Sequence, residues 1–286
     1  MVTIESSSLV KKNPWKRVVF VSALVLLAAL FAYTFLYLKH DPYLTDMSVR
    51  LQGMSLMHPL GTDHLGRDVL TRLLLGTKLT LGYSALALGI AVVIGVPFGL
   101  FAGYMGGLID RVFMRIADGF LAFPDTIVAI VLSGLLGPGI GNLVIAIVVV
   151  KWVNYARLVR STVMSESQKE YVTMARINGM TPGRIMRKHL FPHLIGHVLV
   201  LASLDLGKII LLISALSYIG LGAQPPAPEW GAMLNESRPY FQSSPELMFF
   251  PGLAIVLVVL LSNLIGDDLR DRFDVKREER GHHAEG

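Results

Sequence analysis

Cysteine is absent from the 286 residues, which excludes a disulfide framework and a thiolate metal site. Charge is scarce. Asp, Glu, Lys and Arg make up 16% of the chain, against roughly 25% in soluble domains. Hydrophobic residues reach 53% and the mean hydropathy is +0.56, so lipid is the main solvent of this chain. No G-x-x-x-x-G-K-[ST] sequence occurs, which excludes ATP binding through a Walker loop.

What is present is a series of long apolar runs. A helix needs about 20 predominantly apolar residues to cross a bilayer. Six candidate spans are found at 18–38, 80–103, 117–136, 142–160, 198–221 and 248–266, the third and fourth interrupted by Asp118, Asp125, Lys151 and Asn154. The first run follows Lys11, Lys12, Lys16 and Arg17 and leads into YLKHDPY. It is longer than a signal-peptide core and lacks a small-residue cleavage site, so it reads as a retained span. The expected class is all-α, a polytopic membrane helix bundle with six transmembrane helices. Its expected parts are a cytoplasmic segment 1–17, the first span 18–38, an extracytoplasmic amphipathic connector 39–75, a transmembrane domain 76–267 and a cytoplasmic tail 268–286.

Orientation follows from the basic residues. Of 26 Lys and Arg, 18 fall on the side of the N-terminus, six on the other side, and Lys151 and Lys208 within spans. By the positive-inside rule both termini and the stretch 167–193 are expected in the cytoplasm.

Gly95, Gly99, Gly103 and Gly107 recur every four residues, one helix face on which a second helix can pack closely. In the connector, HPLGTDHLGRDVLTRLLLGTKLTL has two tight glycine corners, then an amphipathic stretch with Val69, Leu70, Leu73 and Leu74 opposite Arg67, Arg72 and Lys78. That stretch is expected along the membrane surface. His58 and His64 lie near Asp63 and Asp68. Without a clear third ligand a structural loop role is favoured, and no metal site is assigned.

The stretch SQKEYVTMARINGMTPGRIMRKHLFPH, from Ser167 to His193, is a polar insert between apolar runs. Tyr171, Met174, Ala175 and Asn178 mark a first short helix, and Gly179 sits where a left-handed residue would end it. Thr181–Pro182 reads as an N-cap followed by Pro at the first helical position. The second helix carries Ile185, Met186 and Leu190 on one side and Arg184, Arg187 and Lys188 on the other, and Pro192 is expected to stop it. This cytoplasmic helix–turn–helix has apolar residues to bury, partly on its own spans and partly on a partner.

Here the chain resembles the permeases of ATP-binding-cassette importers, whose signature loop runs Glu-Ala-Ala, three residues, Gly, nine residues, Ile-x-Leu-Pro. Counted from Gly179, Thr173-Met174-Ala175 and His189-Leu190-Phe191-Pro192 take the outer positions. Thr173 stands where the family has Glu, and Glu170, one turn earlier, is the candidate acidic contact. The stretches LGTDHLGRDVLTRLLLGTKLTL, ALSYIGLGAQPPAPEWGAMLNESR and FFPGLAIVLVVLLSNLIGDDLRDRFD resemble the dipeptide, oligopeptide and nickel branch, leaning toward nickel and metal-chelate permeases.

The resemblance implies a type I ABC importer transmembrane domain that is not itself an enzyme and binds no cofactor, ATP being used by a separate subunit. It implies two ATPase subunits, a second, related permease and an extracytoplasmic binding protein as partners, with no nucleic acid. Glu170, Thr173, Ala175, Gly179 and Pro192 would form the ATPase-coupling loop. Ionisable groups inside spans are costly and are usually paired or functional. Asp205 and Lys208 are three apart, as are Lys151 and Asn154. Internal pairing is the favoured reading; lining of the transport pathway by Asp118, Lys151, Asp205 and Lys208 is the sharper one. The outer loop Gly222–Pro245, with Pro225, Pro226, Pro228 and Trp230, is either a docking element or a rigid surface loop. The rivals are a proton-coupled secondary transporter or channel and a non-transporting scaffold, both of which leave the insert unexplained.

Overall fold

The computed structural model describes residues 40–282, with side chains through residue 271. The expected first span at 18–38 and the segment before it lie outside the described residues. The helices are α1 (Val69–Met105), α2 (Gly107–Leu121), α3 (Asp125–Leu136), α4 (Ile140–Ser167), α5 (Glu170–Ile177), α6 (Pro182–Ile185), α7 (Phe191–Tyr218), α8 (Trp230–Ser237) and α9 (Glu246–His282). A π-helical turn, Met186–Leu190, joins α6 to α7. Among the described residues there is no β-strand, only an isolated bridge between Thr62 and Asp68.

Four helical stretches are long and apolar enough to span a membrane: Val69–Met105, Ile140–Ser167, Pro182–Tyr218 and Glu246–Asp271. The bent pair α2 and α3 adds a fifth if it is counted as one span. The expected third span at 117–136 is therefore not a straight helix. Its two parts meet at 85°. Pro124 sits at the corner, capping α3 in an extended conformation. Proline has no N–H to continue α2, and it pushes the residue before it away from helical geometry. The 12 residues of α3 reach only about 18 Å at 1.5 Å per residue, short of the roughly 30 Å hydrocarbon core.

The expected amphipathic stretch after Asp68 is helical. It is the first third of α1 and runs without a break through residue 75. Arg67 and Arg72 are buried beside Val69 and Leu74, so this segment has a protein environment on both its apolar and its charged sides. Asp68 starts the helix by accepting from the Thr71 N–H at 2.7 Å.

The bundle is organised around α1 and α4. A Cβ added at Gly95 would lie 2.7 Å from the Tyr155 Cβ, one at Gly99 2.9 Å from the Val159 Cβ, and one at Gly103 2.8 Å from the Arg160 carbonyl oxygen. Three of the four expected glycines thus form the contact face. Gly107 does not belong to it. It follows the end of α1 with a φ of +62°, and nothing lies within 4 Å of an added Cβ.

Two apolar layers extend from this pair. One joins α1, α4 and α7 to the insert through Val96, Tyr155, Val163, Ile185, Leu190 and Leu194. The other joins α1, α3, α4 and α7 through Ala87, Ala129, Leu143, Ile147, Ile209 and Ile213. A third cluster holds α8 between α7 and α9 around Trp230.

Gly99→Ala is expected to lower the detergent melting temperature, since overpacking a tight contact costs about 1–3 kcal/mol. Gly89→Ala, whose added methyl meets nothing within 4 Å, should leave it unchanged or raise it. Equal melting curves for the two variants would contradict the proposed role of the glycine face.

Candidate functional site

The insert folds as two short helices packed against the ends of α1, α4 and α7. Gly179 ends α5 with a φ of +73°. Its N–H donates to the Arg176 carbonyl at 3.0 Å, and the Met180 N–H donates to the Ala175 carbonyl at 3.0 Å. This pair of bonds is a Schellman motif, and it satisfies carbonyls that the end of the helix leaves open. Thr181 is extended, its carbonyl accepts from Arg184 and Ile185, and Pro182 follows at the first helical position.

Val172, Ala175, Ile185 and Leu190 are buried in the layer beneath the insert. Tyr171 packs at its margin and donates to Glu166 of α4 at 2.7 Å, and Lys169 pairs with the same carboxylate at 2.7 Å. Burial, together with the Glu166 carboxylate beside it, raises the Tyr171 phenol pKa, so it remains a donor. Arg176 lies over the Tyr104 ring at 5.3 Å, tying α5 to the end of α1.

The opposite face of the insert is open. Met174 is 60% and Ile177 73% exposed, beside exposed Thr173, Asn178 and Gly179. The expected Tyr171–Met174–Ala175–Asn178 face is thereby divided. Tyr171, Val172 and Ala175 point inward, and Met174 and Asn178 point outward. Glu170 is exposed on the first turn of α5.

Pro192 does not stop the second helix. The chain runs through it into α7. An α-helix would need the Pro192 nitrogen to donate to residue 188, and the ring would press on that carbonyl. The π turn just before it widens the ladder instead, with the Phe191 N–H donating to the Met186 carbonyl.

The charged groups that the sequence marked inside the spans, Asp118, Asp125, Lys151, Asp205 and Lys208, are paired. Lys151 Nζ lies 3.0 Å from Asp125 Oδ2, and the Asn154 amide reaches the same oxygen at 3.5 Å. Asp205 is 3% exposed. It accepts from the Tyr155 hydroxyl at 3.1 Å and meets Lys208 Nζ at 3.4 Å. Asp118 is exposed and pairs with Arg157 at 2.7 Å. Asp110 takes both guanidinium nitrogens of Arg160, the second at 2.6 Å. The ion pairs of Asp118 and Asp205 share no residue. The Asp125 and Asp110 pairings are invisible to local spacing, since their partners lie 26 and 50 residues away.

At the other end of the bundle the loop 222–245 is locked to α1. Trp230 is buried, and its indole N–H donates to the Leu73 carbonyl at 3.0 Å. Thr80 donates to Glu229 at 3.0 Å, and Glu229 also caps α8 through the Ala232 N–H at 3.0 Å. Arg67 pairs with Asp63 at 2.6 Å and with Glu236 at 2.5 Å, and Arg72 with Glu236 at 3.2 Å. Glu229 and Glu236 had no sequence signal beyond an acidic residue near a short helix. His64 stacks on Tyr240 with ring centroids 5.2 Å apart. Burial, with Arg67 and Arg72 nearby, lowers its pKa against the pull of Asp63 and Glu236. His58 Nδ1 pairs with Asp68 Oδ2 at 2.9 Å.

Residues 95–278 match the family described as binding-protein-dependent transport system inner membrane component. The chain is 41% identical over 252 residues to the nickel transport system permease protein NikC of Escherichia coli strain K12, covering 88% of this chain and 91% of that one. It is 45% identical over 232 residues to the dipeptide transport system permease protein DppC of Alkalihalophilus pseudofirmus, covering 81% and 76%. It is 41% identical over 225 residues to the glutathione transport system permease protein GsiD of Pectobacterium atrosepticum, covering 79% and 75%. Among solved structures, the inward-facing MetNI methionine ABC transporter aligns with a TM-score of 0.51 at 19% identity, over 68% of this chain and 94% of that one. At that identity the likeness concerns the fold alone.

The two faces of the insert should respond differently to polar substitution. Val172→Ser or Ile185→Ser is expected to lower the melting temperature by several degrees, as loss of a buried aliphatic group costs about 2–4 kcal/mol. Met174→Ser and Ile177→Ser should leave it unchanged. Destabilisation by the second pair would place those side chains in the core.

Proposed function

The chain belongs to the family of binding-protein-dependent transport system inner membrane components, and from that premise we propose what it carries and how it is driven. It is a permease subunit of an ABC importer, a membrane protein and not itself an enzyme. The cargo we infer is nickel or a nickel chelate. The observation that carries this reading is the match to a nickel permease along nearly the full length of both chains. A di- or oligopeptide cargo is the second reading, favoured by the higher identity to a dipeptide permease over a shorter stretch.

In this reading two ATPase subunits, a related second permease and an external binding protein complete the transporter. The ATPase seats on the exposed edge Met174–Gly179. That edge presents the apolar side chains of Met174 and Ile177 to solvent, which is how a docking surface differs from a solvated loop. Both termini and the insert lie in the cytoplasm in this reading, which the bias of Lys and Arg supports. Glu170, exposed on the first turn of α5, supplies the acidic contact that Thr173 cannot. ATP stays on the partner, and this chain converts the partner's closure into movement of α7.

The paired state of Asp125, Lys151 and Asp205 favours structural roles for them. Asp118 and Lys208 remain the more exposed charges and the better candidates for contact with a moving cargo.

Uptake of radioactive nickel and of a labelled dipeptide, measured in parallel in cells with and without the gene, separates the two cargoes. Loss of nickel uptake alone supports the first reading, and loss of dipeptide uptake alone overturns it. Gly179→Arg is expected to abolish uptake and co-purification of the ATPase while membrane insertion persists. Gly179→Asn, which tolerates the left-handed conformation, should retain most of both. Normal coupling in the arginine variant would remove the insert from the ATPase interface.

A further inference from the structure

We propose that His40, His58 and Asp68 form a binding site for a divalent transition-metal ion in the connector, at the end of the bundle away from the insert. The three residues are separated in sequence, yet one ligand atom from each lies within 4.8 Å of the others. The connector brings them together by folding back on itself. Asp46 N–H donates to the Leu65 carbonyl at 3.0 Å, Leu51 N–H to the Asp63 carbonyl at 3.1 Å, and Thr62 N–H to the Gln52 carbonyl at 3.0 Å. The His40 and His58 rings face each other with centroids 5.0 Å apart.

Each imidazole is oriented through one nitrogen. His40 Nε2 lies 3.2 Å from the Met57 carbonyl, and His58 Nδ1 lies 2.9 Å from Asp68 Oδ2. Asp68 is itself held, because its other oxygen accepts from the Thr71 N–H at the start of α1. A histidine fixed by a carbonyl on one nitrogen is the usual state of a metal-ligating histidine, so His40 offers Nδ1, while at His58 the ion takes the place of the proton between Nδ1 and Asp68 Oδ2. Two imidazoles with a carboxylate suit Zn2+, Ni2+ and related ions.

The surroundings favour a cation. The three residues line a recess of about 590 Å³ that also presents Asp41, Asp46 and Met57, and among the described residues no Lys or Arg lines it. That volume admits an ion with its remaining waters or with a small chelating molecule. A second trio, Asp63, His64 and Glu236, is equally close, and it serves as the counter-case. There Arg67 and Arg72 already neutralise both carboxylates, so the cluster is a salt-bridged clasp. A His58–Asp68 pair alone would be explained by fixing the connector to α1. That account leaves out His40, which comes from 18 residues earlier and sets its ring against His58 over an acidic recess.

The site stands on the geometry of the connector and does not depend on the cargo. It is tested on the assembled transporter in detergent, titrated with NiCl2 by calorimetry and with CoCl2 by visible absorption. His40→Gln and His58→Gln are each expected to weaken Ni2+ binding at least about tenfold and to remove the cobalt ligand-field bands, while His64→Gln leaves both unchanged. His282 and His283 are common to all the variants, so the differences report the connector. His40→Gln removes a side chain whose polar contact is one carbonyl, and it decides the matter if His58→Gln fails to assemble. Parent-like affinity and spectra in His40→Gln would overturn the site. Ni2+ binding that depends on His40, in a transporter that imports only peptides, would refute the nickel cargo and leave the site standing.

Discussion

The close approach of α1 and α4 is the constraint on which the rest of the structure depends. In lipid, burial of apolar surface between helices gains little, because the acyl chains are as apolar as leucine. Packing must come from contact itself. Gly95, Gly99 and Gly103 let the α4 backbone approach until an added methyl would strike it. Once α4 is placed, the polar groups along it reach every neighbour in turn. Lys151 holds α3, Tyr155 meets Asp205 of α7, Arg157 and Arg160 hold α2, and Glu166 receives Tyr171 from the insert. The close contact sets the distance, and the polar side chains then set the direction of each partner.

The same constraint governs the charges. An unpaired ion in hydrocarbon is costly enough that its neighbours are chosen for it. Asp205 shows this most clearly. It is nearly sealed from solvent, and a tyrosine hydroxyl and a lysine share its carboxylate. Removing one partner would leave a buried charge, which costs more than the pair contributes. Such a group is better suited to holding α4 against α7 than to releasing a cargo. The connector solves the equivalent problem at the far end with the Arg67, Arg72, Asp63 and Glu236 clasp, which joins the start of α1 to the end of α8.

Much of this was legible in the sequence because it is written in local periodicity. The four-residue recurrence of glycine, the Asp205–Lys208 spacing and the Gly179 terminator are each short-range patterns with a single geometric meaning. Gly107 shows the limit of such a pattern: it kept the spacing but lay past the end of the helix, where the recurrence no longer refers to one face. The bend in the third span went unread for a related reason. Its hydropathy continued across Phe123–Pro124 while its direction changed. Partners distant in the chain were not legible at all. Asp125 stood out as a charge in an apolar run, but nothing local pointed to Lys151, and His40 offered no hint that the connector would return His58 to it.

Pro192 carries the most consequence for mechanism. Had it stopped the helix, the insert would hang from α7 on a hinge, and a push on its tip would be lost in loop motion. The π turn at Met186–Leu190 absorbs the missing N–H and lets the backbone continue from Pro182 to Tyr218 as one helical rod. Ile185 and Leu190 are buried at this junction against α4 and α7, so the rod cannot bend there without opening the core. Under the proposed docking, a partner that moves the Met174–Gly179 edge moves α7 through the layer that Val172 and Ala175 share with Ile185, Leu190 and Leu194. Asp205 and the contacts of Trp230 with α7 lie further along that same rod. Displacement at the insert would then reach the opposite end of the bundle without a separate relay, the behaviour expected of packed helices that shift between discrete arrangements.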